Sequence, residues 1–299
     1  MRLTRSIVLV VSLLFIVYAG IACAAPVPPT IPKKIWTYWD EPAKLPRTVQ
    51  MCMDGWRKHN PEHEITLLTR DNYASHARIP KHLVDHPNFH DNPTRFSDLV
   101  RIWTLAQHGG IWIDSSVLVK RPLDQWLSPP GGCPTPEFIG YYIDGMTTSK
   151  PVIENWFYAA PPASPFVVAW RDEFSKIADF PSASDYVESR KVAGVDISKV
   201  NNPEYLAQHV AAQKVLQIDS YPQDRLFLRR AEDGPLRYLA DNDWDSKVAL
   251  HAACGNLAYQ SPMMKLRGIE RGVLESALGK RSENPTGGDL SSDRCSWST

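Results

Sequence analysis

Hydrophobic and polar positions along the chain follow two spacings, one typical of strands and one typical of helices. Runs rich in β-branched and aromatic residues predict strands at residues 34–39, 64–68, 111–113, 138–143 and 156–159. Apolar residues three or four positions apart predict helices at residues 48–58, 94–108, 165–176 and 204–214. Because strands and helices alternate, we predict an α/β fold with a mostly parallel central sheet flanked by helices.

The clearest helix-to-strand pattern lies between Pro93 and Ile113. Pro93 falls in the first turn of the predicted helix, and two glycines, Gly109 and Gly110, end it. The apolar positions at helical spacing are Leu99, Ile102, Trp103 and Ala106. The segment that follows is apolar at every position, which is typical of a strand covered by helices on both faces. We therefore predict a central strand at residues 111–113.

The N-terminus predicts an export segment. Arg2 and Arg5 precede an apolar run over residues 7–22, which is followed by small residues and a Pro-rich stretch. Two interpretations fit, a cleaved signal peptide and an uncleaved signal anchor that inserts in the membrane. Either one predicts the secretory pathway, as a single-pass type II membrane protein of Golgi type or as a secreted protein. The predicted organisation is a signal or anchor at 1–24, a stem at 25–32, the main domain at 33–279 and a polar tail at 280–299.

Composition and charge bear on domain size, on nucleic-acid binding and on disulfide bonds. The 299 residues suit one large domain, and 33 basic residues balance 33 acidic ones. A neutral chain lacks the basic face of a dedicated nucleic-acid binder, so we predict no nucleic-acid partner. An exported domain with four cysteines can form two disulfide bonds, although Cys52 and Cys254 could also be buried free thiols. The four cysteines are Cys52, Cys133, Cys254 and Cys295.

Charged residues cluster around the central helix and strand. Arg95, Asp98 and Arg101 are three positions apart and so share one face of the predicted helix. Asp114 follows the predicted central strand, and ligands of parallel sheets bind beyond the carboxyl ends of the strands. A carboxylate there can bind sugar hydroxyls or a metal, and arginine can bind phosphate in bidentate fashion. The alternative is structural: Asp98 in a surface ion pair and Asp114 capping a turn.

The sequence resembles the capsular polysaccharide synthesis family and related sugar transferases whose glycine-glycine strand ends in an Asp-x-Asp motif. The matching segments are RFSDLVR at 95–101, GGIWIDSS at 109–116, IPKKIWTYWD at 31–40, IENWF at 153–157 and YQSPMMKL at 259–266. The resemblance covers residues 31 to 267. It implies a GT-A-like fold and transfer of a sugar, with a tendency to retain anomeric configuration. The implied ligands are a nucleotide-diphosphate sugar donor, UDP- or GDP-linked, and a glycan or glycoprotein acceptor.

The resemblance also implies roles for individual residues. Trp36 would stack on the donor base, with Trp39 as the second candidate, while core packing remains the alternative for both. The residues that would act in transfer are Asp98, Arg101, Asp114 and Asn155. Those that would bind the donor are Trp36, Arg95, Asp114, Ser116, Ser261 and Lys265. A Mn²⁺ or Mg²⁺ ion would be held by Asp114, with His251 as a further candidate ligand.

One departure from the motif bears on the metal. Ser116 stands where the second aspartate of Asp-x-Asp would be, and serine is a weak ligand for Mg²⁺ or Mn²⁺. The ion could be held by Asp114, the diphosphate and water, or Arg101 and Lys265 could neutralise the diphosphate without a metal.

Two other functional classes stay open on the sequence. One is a degenerate transferase that binds a sugar nucleotide or a glycan without turnover. The other is a secreted glycoside hydrolase, which needs two opposed carboxylates such as Asp114 and Asp144. The sequence offers no clear general base: Asp144 and Glu154 could each be solvated loop carboxylates.

Overall fold

A six-stranded sheet forms the centre of the molecule in the computed structural model, which describes residues 30–127, 136–254 and 261–283. The strands of the described residues are β1 Lys34–Tyr38, β2 Glu64–Leu68, β3 Gly110–Ile113, β4 Val117–Val119, β5 Phe138–Ile143, β6 Val152–Ala160, β7 Leu226–Arg230 and β8 Met263–Lys265. The order in the sheet is β2-β1-β3-β6-β5-β7. Only β6 runs antiparallel to its neighbours, so the mostly parallel sheet is confirmed. A separate antiparallel pair joins β4 to β8.

Helices flank this sheet. They are α1 Arg47–His59, α2 Tyr73–His76, α3 Lys81–Val84, α4 Pro87–His90, α5 Pro93–His108, α6 Asp124–Leu127, α7 Pro165–Ser175, α8 Ala183–Val192, α9 Ala207–Gln217, α10 Arg237–Ala240, α11 Ser246–Ala253 and α12 Gly268–Glu283. The predicted strands and helices are all present, with bounds that shift by a few residues. The sequence patterns did not predict α8, α11, α12, the helices of four residues, β7 or the β4–β8 pair.

Each face of the sheet buries its own hydrophobic cluster. In β3, Trp112 packs in one cluster with α5, α7 and α9, while Ile111 and Ile113 pack in the other with α1. Successive side chains of a strand point to opposite faces, so a strand covered on both sides must be apolar throughout. The prediction of a central strand at residues 111–113 is therefore confirmed.

The turn between α5 and β3 requires glycine. Gly109 and Gly110 have φ of 61° and 96°, in the region that L side chains rarely adopt. A Cβ on Gly109 would lie 2.5 Å from the Pro162 nitrogen, and one on Gly110 would lie 2.7 Å from the Lys34 carbonyl oxygen. The two glycines therefore let the chain reverse tightly from the helix into the centre of the sheet.

The cysteines correct one prediction. Cys52 is a buried free thiol, so a framework of two disulfide bonds is wrong and the alternative of a buried thiol holds for this residue. Burial raises the pKa of Cys52 to about 12. Cys254 is disulfide-bonded, so the alternative of a free thiol is wrong for that residue. Cys133 and Cys295 lie outside the described residues.

Neither end of the predicted organisation is described in full. The predicted signal or anchor at 1–24 lies outside the described residues, and among those described no helix has the length and apolar content to cross a bilayer. At the other end, α12 continues to Glu283 and so crosses the predicted boundary between domain and tail.

Candidate functional site

A cavity of about 910 Å³ opens at the carboxyl ends of β1, β3 and β5. Tyr38 and Asp40 border it at the end of β1, Asp114 at the end of β3, and Gly145 beyond β5. Because ligands of parallel α/β sheets bind beyond the carboxyl ends of the strands, this cavity is the candidate site.

Helix α5 supplies the positive side of the site. Asn92 caps the helix by accepting a hydrogen bond from the Arg95 N–H at 2.9 Å, and Pro93 occupies its first turn. Asp98 and Arg101 are both buried, and their Oδ1 and Nη1 atoms are 3.0 Å apart. The alternative of a surface ion pair is therefore wrong. A buried pair needs further partners to offset its desolvation, and these are Asp114 beyond the end of β3, Asn155 on β6 and Gln208 on α9.

Asp114 lies at the centre of the site. Its Oδ1 accepts hydrogen bonds from Arg101 Nη2 at 2.8 Å and from the Trp112 indole at 3.0 Å. Its Oδ2 accepts from Lys265 Nζ at 2.8 Å. Burial alone would raise the pKa of Asp114, but the charges of Arg101 and Lys265 outweigh burial and hold the pKa below its usual range. Asp114 is thus an ionised carboxylate clamped between two cations.

The β4–β8 pair brings Lys265 to Asp114 from a distant part of the sequence. Lys265 is in register with Val117, one residue beyond Ser116. The Ser116 hydroxyl donates to the Leu266 carbonyl at 2.9 Å and accepts from Lys265 Nζ at 3.3 Å. The predicted donor-binding residues Asp114, Ser116 and Lys265 therefore lie together, and all three border the cavity.

A glutamine that the sequence analysis missed joins the predicted residues. Gln208 on α9 is fully buried. Its Oε1 accepts from Asn155 Nδ2 at 2.7 Å and from Arg101 Nη1 at 3.3 Å, and its Nε2 donates to the Asp98 carbonyl at 3.3 Å. Asn155 also donates to Asp98 Oδ1 at 3.1 Å. Asp98, Arg101, Asp114 and Asn155, predicted from separate segments, therefore form one hydrogen-bonded cluster.

Two titratable side chains were also missed as members of the site. Glu154 is buried on β6 and borders the cavity, so it is not a solvated loop carboxylate. Burial raises its pKa to about 7, against the opposing effects of a hydrogen bond from Trp156 and the charge of Lys265. His209 Nε2 lies 3.9 Å from Glu154 Oε1, and burial lowers the pKa of this histidine to about 3. His209 is therefore neutral near pH 7.

The pKa values of the Asp98–Arg101 pair also shift. Burial raises the pKa of Asp98 to about 7, against the charge of Arg101. For Arg101 burial would lower the pKa, but Asp114 and Asp98 outweigh burial and raise it. The arginine stays charged at any relevant pH.

Trp36 does not fit its predicted role. Its side chain is 3% exposed, its indole donates to the Gly109 carbonyl at 3.0 Å, and its ring packs against His76 and His108. The ring is part of the core because Trp36 lies inside β1, whereas Trp39 lies beyond the end of the strand. Trp39 borders the cavity, and the Arg271 guanidinium lies 5.3 Å from its ring. Of the two candidate tryptophans, therefore, Trp39 borders the cavity and Trp36 does not.

Four further predicted residues do not border the cavity, and one of them is Asp98, which is buried behind Arg101 and Asn155. Arg95 points away and donates to the carbonyl oxygens of Asn88 and Glu204, which joins α5 to its neighbours. Ser261 is packed near Gly234, and His251 lies exposed on α11. The helical spacing placed Arg95 on the face of Asp98, but its guanidinium turns to α4, while Pro93 and Thr94 of the same first turn border the cavity.

A divalent cation does not fit between Asp114 and Ser116. Lys265 Nζ already contacts both side chains, and the Ser116 hydroxyl is engaged with a backbone carbonyl. Among the described residues, the group that could supply three metal ligands is Glu62, His63 and Asp124, none of which borders the cavity. Lys33 Nζ lies 2.8 Å from Asp124 and 3.8 Å from Glu62, so a cation already occupies that group as well. The predicted pairing of Asp114 with His251 is not formed.

Comparison with known proteins matches part of the chain to a family. A family model described as "Capsular polysaccharide synthesis protein" matches residues 24–186, which include α5, β3 and β6. The O-glycosyltransferase braB of Annulohypoxylon truncatum is 30% identical over 168 residues. That match covers 51% of this chain and 39% of the relative, so the chain spans well under half of the relative's length.

Distant likenesses to solved structures accompany the sequence match. One is the PaToxG glycosyltransferase, with a TM-score of 0.37 and 15% identity over 82% of this chain and 84% of that one. Another is a glycosyltransferase involved in glycosylation of the major capsid of PBCV-1, with a TM-score of 0.41 and 8% identity over 81% and 98%. The family assignment rests on the sequence match and not on these likenesses.

Proposed function

Because this chain belongs to the capsular polysaccharide synthesis protein family, we propose that it is a glycosyltransferase that uses a nucleotide-diphosphate sugar. The observation that carries the proposal is the clamp of Arg101 and Lys265 around Asp114 in a cavity at the carboxyl edge of the sheet. The two cations on either side of Asp114 suit a diphosphate, and the carboxylate between them suits sugar hydroxyls.

The cavity also offers a place for each part of the donor. The first turn of α12, at Gly268, borders the cavity, and N–H groups at a helix start favour phosphate. Trp39 is the aromatic surface suited to the nucleotide base. Trp244 borders the same cavity, is 37% exposed and has a φ of 61°, in the strained left-handed region. We assign Trp244 to the apolar face of an acceptor sugar.

In the proposed reaction the bond between the anomeric carbon and the diphosphate oxygen breaks, and its electron pair leaves with the diphosphate. The acceptor hydroxyl oxygen forms the new bond to the anomeric carbon and releases its proton. Arg101 and Lys265 stabilise the charge that develops on the leaving diphosphate. Glu154, with a pKa near 7, is the cavity carboxylate suited to accept the proton.

The remaining features of the proposal come from the family resemblance. They are a hexosyl donor linked to UDP or GDP, retention at the anomeric carbon and a glycan or glycoprotein acceptor. The apolar run at residues 7–22 supports a place of action in the secretory pathway. The hydrolase alternative loses its carboxylate pair, because Asp144 is an exposed residue that does not border the cavity.

Isothermal titration of the purified chain with UDP, GDP, CDP and their sugars tests the proposal. We expect one nucleotide to bind, and Arg101→Gln to weaken it roughly 10–100-fold, because a charge-assisted hydrogen bond is worth about 1.5–3 kcal/mol. Arg57→Gln is the matched control, since Arg57 is an exposed residue of α1 paired with Asp54. A folded chain that binds none of these nucleotides would exclude the transferase.

Turnover needs a separate measurement. Release of nucleoside diphosphate from the bound sugar nucleotide, with mixed glycans as acceptors, distinguishes an active enzyme from a degenerate one. Tight binding with no release for any acceptor would favour the degenerate protein.

A further inference from the structure

We propose that the ammonium group of Lys265 is the resident cation of this site and that the protein binds its nucleotide without a divalent metal. The inference rests on the proposed function, since it concerns the diphosphate of the same donor. A metal at this site would lie between Asp114 and Ser116, the two ends of the Asp-Ser-Ser segment. The inference assigns that position to the Lys265 side chain.

Lys265 already occupies the position that a metal would take. A metal between Asp114 and Ser116 would need free oxygen atoms on both. Both oxygens of Asp114 already accept hydrogen bonds, and Lys265 Nζ lies 2.8 Å from one of them and 3.3 Å from the Ser116 hydroxyl. The ammonium therefore lies in the position that bridges the two residues.

Several contacts fix the backbone of Lys265 in place. The Lys265 N–H donates to the Pro235 carbonyl at 3.1 Å, and its carbonyl accepts from the Tyr238 hydroxyl at 2.7 Å. The β4–β8 pair fixes the same residue opposite Val117, next to Ser116. The side chain thus starts from a backbone held on several sides, and its position is set before any ligand arrives. Such preorganised charge stabilises a developing anion without reorganisation.

Basic side chains outnumber acidic ones around the cavity. Lys265 and Arg101 bracket Asp114 and together carry the charge of one divalent ion. Arg267 and Arg271 also border the cavity. The cavity's acidic lining residues are Asp40, Asp114 and Glu154. The four cations therefore outnumber the three carboxylates, and the cavity can hold a diphosphate with no added metal.

Nucleotide titrations in EDTA and in Mn²⁺ test the inference. For the wild type we expect the same Kd in both conditions. Lys265→Met should weaken binding in EDTA roughly 10–100-fold, as expected for loss of a charged hydrogen bond. Lys265→Arg keeps the charge and should lose less affinity than Lys265→Met. Lys81→Met, at an exposed position, should leave the affinity unchanged. Circular dichroism shows whether each variant is folded.

A second readout does not depend on the nucleotide. Electron paramagnetic resonance counts Mn²⁺ ions bound to the protein alone. Combining Lys265→Met with Ser116→Asp should add one bound Mn²⁺ relative to the wild type, because two carboxylates then face each other without the ammonium. Both proteins share the group of Glu62, His63 and Asp124, so the difference between them reports on the cavity.

The outcomes separate the two proposals. Nucleotide binding by the wild type that is lost in EDTA and restored by Mn²⁺ would overturn the inference and leave the transferase intact. Absence of nucleotide binding in both conditions would remove the transferase and the inference that rests on it. A double variant that binds no more Mn²⁺ than the wild type would also count against the resident ammonium.

Discussion

The charge cluster around Asp114 and the charge cluster around Glu173 are both buried, yet only the first borders the cavity described above. Glu173 on α7 is 2% exposed and interacts with Lys176, Arg190 and Lys214, and the Tyr186 hydroxyl donates to it. Each cluster places acid and base side chains from distant segments in contact.

The two clusters differ in whether their charged side chains are accessible from the cavity. The Glu173 cluster joins α7, α8 and α9, and none of its members borders the cavity. In the Asp114 cluster, Arg101, Asp114 and Lys265 all border it. Burial and pairing of charges therefore do not identify a ligand site by themselves. Access to a cavity separates a binding cluster from one that holds helices together.

Removing Glu173 should produce one of the two largest effects on stability. Glu173→Ala removes the carboxylate that pairs with the largely buried Arg190, while Lys214 keeps Asp219 as a partner, and breaking a buried pair costs about 3–5 kcal/mol. Urea unfolding measures this loss, with Glu188→Ala on the exposed face of α8 as the control. Nucleotide affinity of the folded fraction should not change. A Glu173 variant that stays as stable as the wild type would show that the cluster does not hold the helices.

The two tryptophans near β1 extend the comparison to aromatic side chains. Trp36→Ala should cost about 3–5 kcal/mol of stability, because it removes a large core side chain. Trp39→Ala should cost less stability than Trp36→Ala, because the half-buried Trp39 ring only packs against the edge of the core, and it should weaken nucleotide binding by about 1–3 kcal/mol, the scale of base stacking. Urea unfolding and titration of both variants form a matched pair. If Trp39→Ala lowered stability and left affinity intact, the base would lie elsewhere.

The smallest predicted effect is the change in nucleotide affinity with pH that the titration of Glu154 causes. Its pKa of about 7 makes it neutral at pH 6 and charged at pH 8. A charged Glu154 repels the diphosphate, so affinity for a sugar nucleotide, whose diphosphate does not titrate in this range, should fall as pH rises by roughly 1 kcal/mol. Glu154→Gln should reduce this slope, and Asp98 accounts for the remainder because its pKa is also about 7. Titrations at pH 6, 7 and 8 measure the slope.

Stability gives a second check on Glu154. A carboxyl whose pKa is raised in the folded protein contributes stability below its ordinary pKa of 4.5, and this contribution is lost as pH rises through about 7. The unfolding free energy of the wild type should therefore fall more between pH 5 and pH 8 than that of Glu154→Gln. Parallel curves for the two proteins would mean that Glu154 titrates near its ordinary pKa.

The sequence by itself determined the elements that depend on local pattern. The α/β class, the capped helix α5 and the central strand β3 all follow from periodicity and from glycines that no other residue could replace. Asp98, Arg101 and Asp114 could be placed at the ligand edge of the sheet because the helix, the turn and the strand are consecutive. Local spacing fixes the geometry over such short distances.

The tertiary structure alone decided which distant residues join this segment. Lys265 reaches Asp114 across 151 positions through the β4–β8 pair, and Gln208 reaches Arg101 across 107 positions from α9. Trp36 and Trp39 differ by three positions, and whether each faces core or cavity depends on where β1 ends against its neighbours. Strand pairing and helix packing bring together side chains whose spacing along the chain carries no signal. For that reason local pattern could predict Asp114 and its partners on α5, while Asn155 and Lys265 came only from the family resemblance and Gln208 was missed.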